Sequence, residues 1–378
     1  MIYFDNAATT KVNSEVLDVY VKLVNELIGN PASVHQLGLQ ASNFLERARY
    51  QIGHKLHLLN KNVIFTSGAT ESNNLAIRGF ALRNQRKGKH LVTSAVEHAS
   101  VLKVFQELEA EGFDVTYLPV DIKGQISLAQ LKNCLRDDTI LVSLMGVNNE
   151  TGTIFPLSQI REIVKSNSSA VLMSDLTQAI GKVDIDLNQI DIFSMSSHKI
   201  GGLKSSGLLV YNSDLNLSPI MFGGGQEKGM RSGTDNAPLA CSLATALRIY
   251  MTSFGKRYAN AVKLHSFLRK ELAKLGSDEI IFISPEEDCS PFILNFSLLH
   301  YKASVLVEAL SHREVYVSTK SACSSHSKSS SYVIEAMGYS SYIASNAIRL
   351  SFEGTEDISQ GETFIRILRE EINKLERI

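Results

Sequence analysis

Apolar positions in this chain alternate between two spacings, and the alternation predicts most of its elements. After a short arm, Asn13 is placed to cap a helix whose apolar face is Leu17, Tyr20, Val21, Val24 and Leu27, at three- and four-residue spacing. A loop follows at Gly29-Asn30-Pro31-Ala32-Ser33. From about residue 60, short apolar runs at 63–66, 91–94, 115–118, 140–144, 171–174, 192–195 and 207–211 alternate with amphipathic stretches, which predicts an α/β unit with a mostly parallel sheet. One long helix is predicted from about Thr234 through Lys274, with Leu239, Leu243 and Leu247 on one face. Beyond it the pattern becomes α+β, with strands at 280–283 and 292–296 and a last helix carrying Ile358, Phe364, Ile365, Leu368, Ile372 and Leu375. The chain therefore divides into a large domain at 14–255 and a smaller one made of 1–13 and 256–378.

In open α/β sheets, ligands bind beyond the carboxyl ends of the strands. Here those positions are small and polar. The run at 63–66 leads into Ser67-Gly68-Ala69-Thr70-Glu71-Ser72-Asn73-Asn74, a glycine turn opening a helix whose free amides suit a phosphate. The run at 171–174 leads to Asp175, with Gln178 shortly after, where a carboxylate can pair with a protonated ring nitrogen. Ser196-Ser197-His198-Lys199 puts hydroxyls, an imidazole and an amine on one turn, and a lysine among apolar strands can lose its proton and form a Schiff base. His98 also follows a strand and can stack on a flat ring or shuttle protons. Gly223-Gly224-Gly225 and Arg231-Ser232-Gly233-Thr234 offer a turn, a cation and a helix-capping hydroxyl suited to anions. Arg349, in a short apolar stretch, can clamp a carboxylate. Taken singly, each has a bland reading as a helix cap, a structural histidine or a solvated charge.

Composition narrows the classes. The 378 residues carry 38 basic and 39 acidic side chains, so no global field favours nucleic acid or an anionic membrane. No apolar run reaches the roughly 18 residues of a membrane span, and the first residues lack the pattern of a signal peptide. The four cysteines, Cys134, Cys241, Cys289 and Cys323, show no metal-ligand spacing, which suits a reducing, cytoplasmic setting without a metal. Cys323 stands apart from the other three, which read as packing residues. Lys320, His326 and Lys328 surround it in a serine-rich stretch and favour its thiolate.

The order of these pieces resembles the NifS/IscS-like cysteine desulfurases of the fold-type I pyridoxal 5'-phosphate (PLP) enzymes, over essentially the whole chain. The matching stretches are Tyr3-Phe4-Asp5-Asn6-Ala7-Ala8-Thr9-Thr10, Gly29-Asn30-Pro31-Ala32-Ser33, Thr66-Ser67-Gly68-Ala69-Thr70-Glu71-Ser72-Asn73-Asn74, Val147-Asn148-Asn149-Glu150-Thr151-Gly152, Ser196-Ser197-His198-Lys199 and Ser321-Ala322-Cys323. The resemblance implies a seven-stranded, mostly parallel sheet in the large domain, and a small domain carrying the catalytic cysteine on a loop at about 318–332. It implies that Lys199 carries the cofactor covalently and moves the substrate proton, that Asp175 faces the ring nitrogen, that Gln178 meets the phenolic oxygen and that His98 stacks on the ring. Ala69, Thr70, Ser196 and His198 would hold the phosphate, joined by Thr234 from the other subunit of a homodimer. Asn149, near the cofactor, and Arg349 would fix the carboxylate of L-cysteine. Cys323 would take the sulfur as a persulfide and, as in the long-loop branch of the family, hand it to an acceptor protein, either an iron–sulfur scaffold or a tRNA sulfurtransferase. Housekeeping members carry a tail that helps dock the scaffold; this chain stops at Ile378 after its last helix, which tilts the expectation toward the tRNA sulfurtransferase. Lys320 stands where a glycine usually precedes Ser-Ala-Cys, Leu176 replaces a small residue, and Leu203 and Ser205 interrupt a Gly-Pro-Lys-Gly run. Two other activities fit the same residues: a selenocysteine lyase-like PLP enzyme, or a weakly active binding member of a sulfur-transfer complex.

Overall fold

A computed structural model describes residues 1–319 and 330–377 of the chain. It opens with β1 (Ile2–Tyr3), α1 (Ser14–Glu26), α2 (Gln36–Lys55), β2 (Lys61–Thr66), α3 (Ala69–Asn84), β3 (His90–Ser94), α4 (Ala99–Ala110) and β4 (Asp114–Leu118). There follow α5 (Leu128–Cys134), β5 (Thr139–Ser143), α6 (Leu157–Asn167), β6 (Val171–Asp175), β7 (Ile192–Ser196), β8 (Gly207–Asn212), α7 (Ala237–Thr252) and α8 (Phe254–Ala273). The rest comprises β9 (Ile280–Phe282), β10 (Ile293–Leu298), α9 (Ala303–His312), β11 (Val315–Tyr316), α10 (Tyr332–Ala336), α11 (Ser341–Ser345), β12 (Ala347–Ser351) and α12 (Ile358–Ile372).

The expected seven-stranded sheet is present, in the order β2-β8-β7-β6-β5-β3-β4. From β4 through β7 every pairing is parallel, whereas β8 runs against both of its neighbours. Strands β3, β5, β6 and β7 are buried along their whole length, which is why they read as continuous apolar runs rather than alternating ones. Helices cover both faces: Leu75, Phe80, Val101 and Phe105 of α3 and α4 pack on one, and Leu45, Ile160, Leu243 and Leu247 of α2, α6 and α7 on the other.

A separate core gathers Leu264, Leu268, Phe296, Leu306, Leu350 and Phe364 around the antiparallel sheet β12-β10-β9. Phe4 of the N-terminal arm belongs to it. The arm pairs β1 in parallel with β11, bridges Asp5 to Ser351, and then crosses to the large sheet, where Thr10 N donates to His198 O at 2.8 Å.

Three expectations change. The α1 helix is capped by Asn13, whose side chain accepts from Glu15 N at 2.9 Å, but Leu17, Val21 and Val24 are exposed while Val16 and Leu23 are buried. The helix has two apolar stripes, and the narrower one packs on α7. The long helix from Thr234 to Lys274 is two, α7 and α8, separated at Ser253, whose hydroxyl bonds back to Ile249 O at 3.0 Å. Thr234 does not cap α7; Asn236 does, accepting from Leu239 N at 3.0 Å.

Candidate active site

The chemistry converges because the strands end at one edge of the sheet. Asp175 ends β6, Ser196 ends β7 and leads into Lys199, His98 follows β3, Asn149 follows β5, and α3 springs from the end of β2. Together with Gln178, His198, Ala69, Thr70 and Arg349 these residues line one cavity.

The α3 end of the cavity rests on two glycines. Gly68 has φ +147°, a conformation that a side chain would strain, and a Cβ on Gly207 would lie 2.5 Å from Gly68 Cα, so the first residue of β8 must be bare for the turn to pass. No side chain caps α3, and Ala69 N is held by Ser196 Oγ at 2.8 Å. Ala69 and Thr70 of this first turn line the cavity with Ser196 and His198 beside them, and a helix start of this kind suits an anion. Burial, and then the charges of Lys199, Lys204 and Lys182, push the His198 imidazole down to about 4, so it is neutral at physiological pH. Its Nδ1 lies 3.1 Å from Thr9 Oγ1.

On the floor, Asp175 Oδ1 accepts from Thr177 N at 2.9 Å and Oδ2 from Asn73 Nδ2 at 2.8 Å. Asn73 is itself fixed, accepting from Ser194 Oγ at 2.5 Å and donating to Ser100 Oγ at 2.9 Å. Ser100 Oγ in turn lies 2.8 Å from His98 Nδ1, which also accepts from Ser100 N, so the tautomer assigned by these bonds keeps its proton on Nε2. Lys199 Nζ donates to Ala7 O at 2.5 Å and Ala8 O at 2.6 Å, and Gln178 Nε2 donates to Ala7 O at 2.9 Å.

The opposite wall is the small sheet. Arg349, 1% exposed, donates to Asn149 O at 2.8 Å and to Asp5 Oδ1 at 3.0 Å, while its Nε is buried with no hydrogen-bond partner. Burial raises the Asp5 carboxyl above the usual range, against the opposing pull of Arg349.

Of the residues singled out from the sequence, ten meet here: Ala69, Thr70, His98, Asn149, Asp175, Gln178, Ser196, His198, Lys199 and Arg349. Thr234 lies elsewhere, in a hollow with Arg231, Phe65 and Ser67. Cys323 and Lys320 fall outside the described residues. The other cysteines are poor thiolates: burial pushes Cys241 up to about 11 and Cys289 up to about 12, and raises Cys134 as well. Leu176 faces the core, filling the hollow at Gly146, where a Cβ would lie 2.7 Å from its Cδ2. Asn73, Ser100 and Asp5 had no assigned role from sequence; their polar character at strand or helix ends was the available signal.

The donor set fits an anionic, aromatic cofactor. An uncapped helix start suits its phosphate, a hydrogen-bonded carboxylate suits a ring nitrogen, and a lysine on the same floor can hold it covalently. Comparison with known proteins agrees. Residues 2–359 match the model of the aminotransferase class-V family. The chain is 41% identical over 369 residues to a NifS/IcsS protein homolog of Lactobacillus delbrueckii subsp. bulgaricus, covering 97% of this chain and 95% of that one. It is 35% identical over 376 residues to a cysteine desulfurase IscS of Methanosarcina thermophila, covering 99% and 92%. A solved NifS-like protein superposes with a TM-score of 0.92 at 33% identity, covering 99% of this chain and all of the other.

Proposed function

We propose that this chain, which belongs to the aminotransferase class-V family and to its PLP-dependent cysteine desulfurases, converts L-cysteine to L-alanine and carries the released sulfur on Cys323 to an acceptor protein. The observation that supports it most is the single cavity where Lys199, Asp175 and His98 face Arg349 across the sheet edge.

When bound, the cofactor supplies an electron sink for the substrate's α-carbon. Asp175, held by Asn73 and Thr177, would pair with a protonated ring nitrogen. The first turn of α3 with Ala69, Thr70, Ser196 and neutral His198 would hold the phosphate, and His98 would lie against the ring. Lys199 would hold the cofactor covalently, and its amine would move the α-proton of the substrate. Asn149 and Arg349, which line the cavity together, would take the substrate carboxylate. The Cys323 thiolate attacks the substrate sulfur; the C–S bond breaks with its electron pair on the carbon side, which is protonated to alanine, and the sulfur remains on Cys323 as a persulfide.

A second copy of the chain completes the site in this reading. The exposed stripe of Leu17, Val21, Val24 and Ile28 on and after α1 is an apolar face of the kind that subunits cover, and Thr234, outside this chain's own cavity, is available to a partner's phosphate. The acceptor is a protein of tRNA thiolation or of iron–sulfur assembly. No helix among the described residues is long and apolar enough to cross a membrane.

The test is Cys323→Ala. Its cofactor absorbance should match that of the unaltered enzyme while sulfide release from cysteine disappears. Sustained turnover by the variant would overturn the persulfide step.

A further inference from the structure

One buried cation beneath the cavity has no part in the reaction as written. Lys182 lies on the turn after β6 and is 2% exposed. That turn is pinned from below by Arg257, whose Nη2 donates to Gly181 O at 2.5 Å. Lys182 Nζ donates to Gln178 Oε1 at 2.7 Å. The charged groups facing it are mainly other cations, Lys199, Arg257 and Arg349, with Glu353 as the acid on that side. Burial first, then those cations, lower its pKa to about 7. An ammonium placed so is costly, and an apolar side chain of similar length would fill the space at less cost.

What the lysine does is visible in its one acceptor. The two ends of a glutamine amide have nearly the same shape, so which end faces a ligand is set by the groups around it. Lys182 is the donor in this bond, so Gln178 turns its oxygen toward it. The nitrogen is then on the other side, where it donates to O of Ala7, which lines the cavity as Gln178 does, at 2.9 Å and has a second hydrogen beyond that bond.

We propose that Lys182 is a positioning residue that locks the Gln178 amide with Nε2 toward the cavity, so that an anionic ring oxygen of the bound cofactor meets a donor and never the amide oxygen. The proposal rests on the reading of this cavity as the PLP site. A donor at that oxygen stabilises its anionic form and lowers the pH at which the bound cofactor titrates. The negative charge brought by the cofactor and the substrate favours the charged form of Lys182, so loading the site tightens the lock.

The experiment follows cofactor absorbance against pH in the intact holoenzyme and in Lys182→Met, Gln178→Leu and the double variant. Lys182→Met should move the titration upward by at least about half a pH unit, most of the way to the Gln178→Leu value. In the Gln178→Leu background the same change should add nothing, because the lysine acts through the amide. A Lys182→Met curve that superposes on the unaltered one overturns the proposal, and so does a shift that persists undiminished without Gln178, which would mark a direct charge effect. If the unaltered protein shows no cofactor absorbance that Lys199→Ala removes, the reading of the cavity fails first and the proposal with it.

Discussion

On the floor of the cavity Asp175, Asn73, Ser194 and Ser100 satisfy one another in a closed set of hydrogen bonds, whereas on the wall Arg349 spends its terminal nitrogens on Asn149 and Asp5 and keeps a buried Nε unpaired. The floor is built from the adjacent strands β6 and β7 and the first turns of α3 and α4 that lie over them. The wall is assembled from the arm, the segment after β5 and β12. A closed set suits a ligand that stays, because its groups are already fixed when the ligand arrives. The wall keeps a donor whose hydrogen bond is still unmade, so it is the less settled of the two sides.

If the two sides are separable, Arg349→Ala should lower kcat/KM for cysteine by about a thousandfold, near 4 kcal/mol for truncating a buried, hydrogen-bonded charge. Cofactor absorbance should stay unchanged, and its loss in the variant would break the distinction between wall and floor.

The next effect lies behind the floor. Glu97 is fully buried beside His98; its Oε1 accepts from Ser94 Oγ at 2.8 Å and Met145 N at 2.9 Å, while Oε2 has no partner. Burial pushes its carboxyl up to about 8. A raised folded-state pKa means that the native state holds a proton the unfolded chain has lost, so this contribution is whole below about 4.5 and disappears as pH rises through about 8. Glu97→Gln removes that loss and should gain on the order of 4 kcal/mol relative to the unaltered protein between pH 5 and pH 9. Thermal melts across that range give the comparison, and parallel profiles would show that the floor tolerates the charge.

The smallest effect is outside the cavity, in the hollow that holds Thr234, where Ser205 sits at φ +57° in the run that leads into Gly207. Ser205→Gly should stabilise by about 0.5–1 kcal/mol, read as a higher Tm, without touching cofactor absorbance. A change in that absorbance would mean that the strain at Ser205 is part of how the floor is held.

The large sheet was legible because its strands are buried on both faces and followed by small polar residues, so that runs such as 171–174 and 192–195 announce both the strand and the chemistry at its end. Chain order then carried Lys199, Asp175, His98 and Arg349 into one family pattern. Pairings that join distant positions were not legible: Asn73 with Asp175 across 102 residues, and Asp5 with Arg349 across 344. Lys182 looked like any lysine, since nothing local tells a buried ammonium from a solvated one. The α1 face was misjudged for a related reason. A helix with two apolar stripes gives a periodic signal for both, and only the position of α7 decides which is covered.

The N-terminal arm has a consequence for how the protein comes into being. Residues 2–6 are made more than 300 residues before their partners, β11 at Val315–Tyr316 and Ser351. A ribosome must therefore deliver β11 and β12 before the arm can dock, and such sequence-distant pairing is slow to find. Ala7 and Ala8, which receive the Lys199 amine, ride on that same arm. The nascent large sheet can thus assemble while the Lys199 amine still lacks these two acceptors, which arrive only when the arm closes.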